Sequence, residues 1–271
     1  MNESGGVFDV GAWGLVRWKF ATLNINTSRT VAAIKSLIPP VIYHAAYQAI
    51  IVKNIPDRSA YKPHYSPWLE PDFQSGAEAV RGNTCLKAES IYTLLHFLEE
   101  VLWLGGDVME CGVWRGGSAK LLYEKIRKIA PEKHLHLFDS FEGMAETDAA
   151  LDRHEAGDFS DTSLQHVQNF ITGSDGDDAA VVFHKGWIPQ SFAGLEDLKF
   201  CFVHIDLDLH QSILDALAFV YPRLHPRGVI IFDDYGFASC AGARKAVDEF
   251  FADKPEAPFV LGTAQAIVIK R

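Results

Sequence analysis

Residues 108–118 read VMECGVWRGGS, an apolar run followed at once by a cluster of glycines. The run predicts a short buried strand, and the glycines predict a tight turn that opens a helix. Backbone N–H groups at such a helix start face outward and can bind a ligand. Asp139 follows the glycines by about twenty residues, where a carboxylate can bind the two hydroxyls of a ribose. The stretch therefore predicts a nucleotide-binding α/β fold.

From residue 107 onward, short apolar runs alternate with amphipathic segments. This alternation predicts βαβ units and a parallel sheet. We predict strands over 107–113, 134–141, 181–186, 200–207 and 228–235, and helices over 116–130, 212–224 and 241–252. Two more apolar runs, 259–262 and 264–270, are joined by too few residues for a parallel crossover, so they must pair as a hairpin. The expected sheet is mostly parallel with one antiparallel strand at its C-terminal end.

The composition excludes several classes of protein. With 271 residues, 48% of them hydrophobic and 22% charged, the chain can bury a sizeable core and is neither disordered nor fibrous. A formal charge of −10 argues against nucleic acid or an anionic membrane as the main partner. The four cysteines lack disulfide or zinc spacing, and no apolar stretch is long enough for a membrane span. We expect a soluble cytoplasmic protein with free thiols.

Two segments interrupt the α/β pattern. Residues 1–80 carry helical patterns at 28–38 and 40–53, followed by 61–73, where Pro63, Pro67 and Pro71 argue against a regular helix. This region is either a packing or oligomerisation appendage, or a lid. The acidic stretch 142–165 is a long irregular loop, which is commonly either functional or solvated surface.

Acidic residues follow the fourth and fifth predicted strands, in HIDLDLH (204–210) and IFDDY (231–235). If these strands are neighbours, their ends lie about 5 Å apart, and several carboxylates crowd one volume. Such crowding is costly unless protons or a metal ion neutralise the charges. Oxygen-only ligands favour a hard cation, with Mg2+ ahead of Ca2+ and Mn2+. The alternative is that some of these aspartates only cap the following helices.

The glycine turn also indicates which cofactor fits. In the frame of a dinucleotide fingerprint, Trp114 occupies the middle position, where glycine normally lets the backbone approach a pyrophosphate. An indole fits poorly there, but it is compatible with S-adenosylmethionine, which has no pyrophosphate. An NAD(P)-linked sugar oxidoreductase shares the turn and the ribose acid and is the alternative enzyme. A non-catalytic binding protein is the third interpretation.

Five segments resemble the macrocin O-methyltransferase family in order and spacing, over about residues 84–271: ECGVWRGGS, FDSFEGM, HIDLDLHQS, YPRLHPRGVIIFDDYG and GARKAVDEFF. Members are class I S-adenosylmethionine-dependent enzymes that use a divalent metal to methylate sugar hydroxyls on natural products or polysaccharides. The resemblance implies a Rossmann-like, seven-stranded, mostly parallel sheet whose last strand is antiparallel, and a homodimer. It also implies a methyltransferase domain over 81–271, with 1–80 as the appendage.

The resemblance assigns roles by position. The metal ligands would be Asp206, Asp233 and Asp234, with Asp206 also the general base. His210 stands where the family usually has tyrosine, which implies a changed acceptor contact or an additional base. The residues expected to bind the cofactor are Thr84, Glu110, Gly112, Trp114, Ser118, Asp139, Ser140 and Trp187.

Three further residues have two interpretations each. Trp187 is either an adenine contact or a core anchor, and Arg115 either binds the methionine carboxylate or forms a surface ion pair. His204 is expected to be a hydrogen-bonded, partly buried histidine rather than a ligand. The acceptor stays open among a glycan on a lipid or antibiotic, a nucleotide sugar and a catechol-like phenol, all of which offer adjacent oxygens to a metal.

Overall fold

The computed structural model describes residues 66–173 and 178–271. The α-helices in these residues are α1 (Pro71–Ala79), α2 (Ala88–Val101), α3 (Gly117–Ile129), α4 (Leu164–Thr172), α5 (His210–Val220) and α6 (Ala241–Phe251). The strands are β1 (Asp107–Cys111), β2 (Leu135–Asp139), β3 (Val181–Lys185), β4 (Phe200–Ile205), β5 (Leu224–Phe232), β6 (Phe259–Val260) and β7 (Ala266–Ile269).

The strands form a seven-stranded sheet in the order β3-β2-β1-β4-β5-β7-β6. Neighbours from β3 to β5 pair in parallel, whereas β7 runs antiparallel to β5, with Ile267 opposite Ile231. Strands β6 and β7 pair as an antiparallel hairpin. The predicted fold class, a mostly parallel Rossmann-like sheet with an antiparallel C-terminal strand, is confirmed.

Alternation along the strands sends side chains to two hydrophobic layers. On one face, Val108 and Leu137 pack with residues of α2 and α3, such as Leu94 and Leu122. On the other, Met109 joins residues of α5 and α6. Because both faces are covered, the central strands are apolar almost throughout, as FCFVHI of β4 shows. This burial explains why the strands could be predicted from short apolar runs.

Strand order reverses between β1 and β4, since β1 is followed along the chain by β2 on one side and paired with β4 on the other. Ligands of open α/β sheets bind outside the carboxyl ends of the strands at such a switch point. The glycine turn after β1 and the aspartates after β4 and β5 all lie at this edge. The topology therefore places the predicted site residues near one another.

Three local expectations differ from the structure. Pro71 begins α1 instead of preventing a helix, because proline lacks only an N–H that the first helical turn does not use. The irregular stretch 142–165 ends at Ser163, whose side chain accepts a hydrogen bond from the His166 N–H and so caps α4. Helix α5 begins at His210, two residues before its predicted start.

Residues 66–271 form a compact unit, and the predicted helices at 28–38 and 40–53 lie outside the described residues. Within the described part of the proline-rich segment, Trp68 and Phe73 pack against Tyr92 of α2. The role of residues 1–80 stays a prediction. In the two described ranges, no helix combines the length and apolarity needed to cross a membrane.

Candidate functional site

A cavity of about 390 Å³ opens at the carboxyl ends of β1, β2, β4 and β5. This is within the size range of small-molecule sites in proteins. The predicted site residues that line it are Thr84, Gly112, Trp114, Ser118, Asp139, Ser140, Trp187, Asp206, Asp233 and Asp234. Glu110 and His210 do not line it. The glycine turn and the acidic strand ends thus share one cavity.

Gly112 is required where the glycine turn crosses the end of β4. Its φ of 86° lies in the left-handed region, and an added Cβ would lie 1.7 Å from the carbonyl oxygen of Asp206. Gly116, at φ 85°, then caps the start of α3. The turn therefore brings the backbone after β1 directly against the residue that follows β4.

Asp139 holds the glycine turn in place. Its Oδ2 accepts hydrogen bonds from the backbone N–H groups of Val113 and Trp114 at 2.7 and 2.9 Å, and its Oδ1 accepts one from Phe141 at 2.6 Å. A carboxylate can accept about four hydrogen bonds, so these three leave little capacity for a ribose. The ribose contact stays a prediction, while positioning of the turn is what the structure shows.

The long loop 142–163 forms one wall of the cavity and is attached to the glycine turn through Asp161. The Trp114 indole donates to Asp161 Oδ1 at 2.7 Å, and Arg115 forms an ion pair with Asp161 Oδ2 at 2.6 Å. The Trp114 hydrogen bond lowers the pKa of the Asp161 carboxyl. Arg115 therefore takes the role of a surface ion pair. Phe159 of the loop packs edge-on against Trp114.

Three carboxylates meet at the ends of β4 and β5. Asp206, Asp208 and Asp234 each offer an oxygen, and these oxygens lie within 4.8 Å of one another; we call them the carboxylate cluster. Asp208 has a φ of 58° and donates its backbone N–H to Asp234 Oδ2 at 2.9 Å. The cluster contains only oxygen donors, the type that hard divalent cations prefer.

Crowding changes the acidity of this cluster. Burial, together with the Asp234 and Asp233 carboxylates, raises the pKa of Asp206 well above its usual value. Burial, together with the Asp208 and Asp233 carboxylates, does the same to the pKa of Asp234. Each group therefore resists ionisation unless positive charge is nearby. Cations bound by the cluster would reverse that effect.

Asp233 lines the cavity but lies outside the carboxylate cluster. Its Oδ1 accepts a hydrogen bond from the side-chain amide of Gln265 at 2.8 Å. Burial raises the pKa of Asp233 against the opposing effects of His204 and Gln265. Of the three predicted metal ligands, the structure therefore groups Asp206 and Asp234, and it adds Asp208, which was not among the predicted ligands.

Glu110 and His204 form a buried pair beneath the cavity. They lie opposite each other on β1 and β4, and His204 Nδ1 is 2.8 Å from Glu110 Oε1. Both side chains are fully buried, and Glu110 Oε2 and His204 Nε2 have no hydrogen-bond partner among the described residues. Glu110 is therefore not at the cavity, contrary to expectation, because strand register directs it to His204. His204 is completely rather than partly buried, with one ring nitrogen paired.

The structure also shows where two further predicted site residues, His210 and Trp187, lie. His210 Nε2 is 2.8 Å from Glu249 Oε2 on α6, so the helix that begins at His210 turns the ring away from the cavity. The predicted role of His210 as a second base is not supported by that placement. Trp187 follows β3, lines the cavity and is 40% exposed, so it is not a core anchor.

His154 and Cys240 line the cavity without having been predicted. Together with Asp208 they place a nitrogen, a sulfur and an oxygen within 4.8 Å of one another. Burial and the Asp234 carboxylate raise the pKa of the Cys240 thiol. These residues come from a loop, a strand end and a helix start at least 32 residues apart, so no motif spacing could reveal them.

The sheet order and the position of the cavity define a class I O-methyltransferase fold. The solved O-methyltransferase NovP superposes with a TM-score of 0.63 over 73% of this chain and 88% of that chain, at 24% identity. The calicheamicin methyltransferase CalS11 superposes with a TM-score of 0.57 over 78% of this chain and 95% of that chain, at 17% identity. These likenesses show that the chain has the fold of these methyltransferases.

A profile of the macrocin-O-methyltransferase (TylF) family matches residues 82–258, and the chain belongs to that family. Two curated relatives are named as O-methyltransferases, the first of them acting on a rhamnosyl compound. The 8-demethyl-8-(2,3-dimethoxy-alpha-L-rhamnosyl)-tetracenomycin-C 4'-O-methyltransferase of Streptomyces olivaceus is 34% identical over 172 residues, 59% of this chain and 66% of the relative. Mycinamicin III 3''-O-methyltransferase of Micromonospora griseorubida is 29% identical over 180 residues, 62% and 70% respectively. The chain thus spans about two thirds of the length of these relatives.

Proposed function

We propose that this protein transfers the methyl group of S-adenosylmethionine to a sugar hydroxyl of a glycosylated natural product, with Mg2+ or a similar hard cation at the carboxylate cluster. The observation that carries the proposal is the single cavity that contains both the glycine turn and the cluster. The two relatives named for methylation of a rhamnosyl and a mycinamicin compound support the acceptor class.

The β1–β2 side of the cavity is suited to S-adenosylmethionine. Gly112 and Trp114 supply turn backbone there, and Thr84 and Ser118 supply hydroxyls. S-adenosylmethionine brings a methyl group already activated by its sulfonium, so the protein has to bind the donor and aim the acceptor. Asp139 contributes by fixing the turn through its three backbone hydrogen bonds.

The β4–β5 side is suited to a hard divalent cation. Asp206, Asp208 and Asp234 provide carboxylate oxygens close together, and the raised pKa values of Asp206 and Asp234 indicate a site short of positive charge. Bound there, such a cation supplies charge that draws adjacent sugar oxygens and lowers the pKa of the hydroxyl to be methylated.

Asp206 is our choice for the base that accepts the hydroxyl proton. It lines the cavity at the end of β4, against the glycine turn, whereas His210 is bonded to Glu249. A positioned general base contributes about 10²–10⁴-fold to a rate. Phe159 and Phe237 line the cavity and remain partly exposed, so they offer apolar surface to the acceptor, while Trp187 after β3 stays the predicted adenine contact.

The experiment is a methyl-transfer assay on the full chain with methyl-labelled S-adenosylmethionine. Acceptors are rhamnosylated aglycones, a nucleotide sugar and a catechol, each with Mg2+ or with excess chelator. We expect S-adenosylhomocysteine to form with a glycosylated aglycone and Mg2+, and to fall to background with chelator. Turnover of the catechol alone, or equal rates in chelator, would contradict the proposal.

A calorimetric comparison separates this function from the oxidoreductase alternative. We expect S-adenosylhomocysteine to bind the full chain and NAD to give no heat. Binding of NAD without binding of S-adenosylhomocysteine would show that S-adenosylmethionine is not the cofactor. The cytoplasmic location and the homodimer stay predictions, with analytical ultracentrifugation as the measurement for the dimer.

A further inference from the structure

Three side chains with different donor atoms meet at one wall of the cavity. Cys240 Sγ lies 3.1 Å from Asp208 Oδ1, and His154 Nε2 lies 3.5 Å from the same oxygen. The sulfur and the nitrogen are 3.9 Å apart. Cys240 precedes α6, Asp208 follows β4, and His154 comes from the loop 142–163, so three separate elements contribute one atom each.

The separations match those between ligands of one tetrahedral metal ion. Zinc–sulfur bonds of about 2.3 Å and zinc–nitrogen or zinc–oxygen bonds of about 2.0–2.1 Å place ligand atoms roughly 3.3–3.6 Å apart. The nitrogen–oxygen distance of 3.5 Å lies within that range, whereas the sulfur–oxygen distance of 3.1 Å is shorter and the sulfur–nitrogen distance of 3.9 Å is longer by a few tenths of an ångström. Small side-chain rotations would therefore bring all three atoms onto one ion.

The histidine is oriented as a metal ligand would be. His154 Nδ1 lies 3.2 Å from Asp158 Oδ2, and that carboxylate also accepts the backbone N–H of Glu155 at 3.0 Å. When the Asp158 carboxylate accepts a hydrogen bond from Nδ1–H, the Nε2 atom keeps its lone pair, which faces Asp208 and Cys240. Metal-bound histidines in proteins typically have this outer carboxylate partner.

We infer that His154, Asp208 and Cys240 form a second cation site, for a borderline-soft divalent ion of the Zn2+ type. A thiolate and an imidazole select such ions, whereas Mg2+ prefers oxygen ligands alone. On binding, the Cys240 S–H bond is replaced by a sulfur–metal bond and the proton leaves to solvent. Three protein ligands leave a fourth position of the tetrahedron open.

The site has a structural consequence that the carboxylate cluster does not have. An ion there would connect the loop 142–163 to the start of α6 and to the end of β4. Asp208 belongs to both groups of ligands, and its carboxylate has two oxygens, so it can bind at one site or bridge the two. We infer binding alone, and the tests below measure metal binding without a methyl-transfer readout, so their failure can be told apart from failure of the proposed function.

The test uses Co2+ as a spectroscopic substitute for Zn2+ on the full chain. We expect a sulfur-to-cobalt charge-transfer absorption that saturates at one equivalent and is displaced by Zn2+. Cys240→Ser should remove this absorption, and Cys85→Ser should retain it, because Cys85 lines the same cavity but is exposed and outside the group. No charge-transfer absorption in the unmodified chain, or an unchanged one in Cys240→Ser, would overturn the inference.

A second variant avoids altering any ligand. Asp158→Asn removes only the carboxylate behind His154, and loss of such a partner typically weakens metal affinity about 10–100-fold. We expect the Co2+ dissociation constant to rise by that factor while the saturated spectrum stays the same. Glu155→Gln, in the same loop, is the matched control and should leave the constant unchanged. Equal affinities in Asp158→Asn and Glu155→Gln would count against the site.

Discussion

Acidic side chains follow the strands in two parts of the sheet, and their surroundings differ. After β2, Asp139 accepts three hydrogen bonds from backbone N–H groups of the glycine turn and the following loop. After β4 and β5, Asp206, Asp208 and Asp234 lie together, and burial and mutual repulsion raise the pKa of Asp206 and Asp234. Asp139 thus accepts three backbone hydrogen bonds, whereas the described ranges of the structure show one backbone donor for the three carboxylates of the cluster, the N–H of Asp208.

This difference shows how one residue type performs two tasks in a single cavity. A carboxylate that accepts several backbone hydrogen bonds, as Asp139 does, fixes the chain around it. A group of carboxylates with few donors is costly until a cation arrives, so it is suited to binding one. The following experiments test whether the two regions respond separately.

The largest effect is expected from the β4–β5 side. Asp206→Asn should reduce methyl transfer by about 10²–10⁴-fold, because it removes both a metal ligand and the proposed base. Binding of S-adenosylhomocysteine, measured by calorimetry, should change little. Asp215→Asn on α5, whose carboxylate bonds only to Gln211 among the described residues, is the control and should keep the full rate.

Removal of the carboxylate on the β2 side should instead affect stability. Asp139→Ala leaves three backbone N–H groups without their acceptor, and hydrogen bonds to charged groups contribute about 1.5–3 kcal/mol each without being additive. We expect the free energy of unfolding in urea to fall by about 3 kcal/mol, and by less in Asp139→Asn, whose amide oxygen still accepts. An unchanged unfolding curve for Asp139→Ala would show that the turn does not depend on this residue.

Metal addition separates the two regions directly. Mg2+ at about 100 times its dissociation constant should stabilise the folded chain by about 2.7 kcal/mol. For a protein of this size, that corresponds to roughly 5–10 °C in Tm. Asp234→Asn should lose this shift and Asp139→Asn should keep it. If both variants kept it, the cation would be binding elsewhere.

Stability without metal should depend on pH with a sign set by the carboxylate cluster. The folded-state pKa values of Asp206 and Asp234 lie above the unfolded value of about 3.9. Between these values the folded chain holds more protons than the unfolded chain, so the free energy of unfolding falls as pH rises from about 4 toward neutral. Urea unfolding in chelator should show a smaller fall in Asp206→Asn than in the unmodified chain. Excess Mg2+ should reduce the difference.

The smallest effect is expected at His210. Because its ring bonds to Glu249 and does not line the cavity, His210→Gln should change the methyl-transfer rate by no more than about twofold. A loss of a hundredfold or more would make His210 the base after all. That outcome would require α5 to turn its first residue into the cavity when the acceptor binds.

Parts of this arrangement could be predicted from the sequence because buried strands consist almost entirely of apolar residues. Strands covered on both faces appear as apolar runs, as in β4. Because the carboxyl ends of parallel strands lie at one edge of the sheet, the proximity of Asp206 and Asp234 could also be predicted. The pairing of Glu110 with His204 could not be predicted, because it depends on the register of β1 against β4. His154 and Cys240 meet through the path of a loop and a helix start, which no local spacing encodes.

The central claim is that the carboxylate cluster binds a hard divalent cation. Titration of the full chain with Mn2+, followed by electron paramagnetic resonance of the free ion, measures this without knowledge of the acceptor. We predict one bound Mn2+ per chain, displaced by Mg2+ and lost in the double variant Asp206→Asn, Asp234→Asn. Absence of bound Mn2+ at millimolar concentration, or equal binding by the double variant, would contradict it.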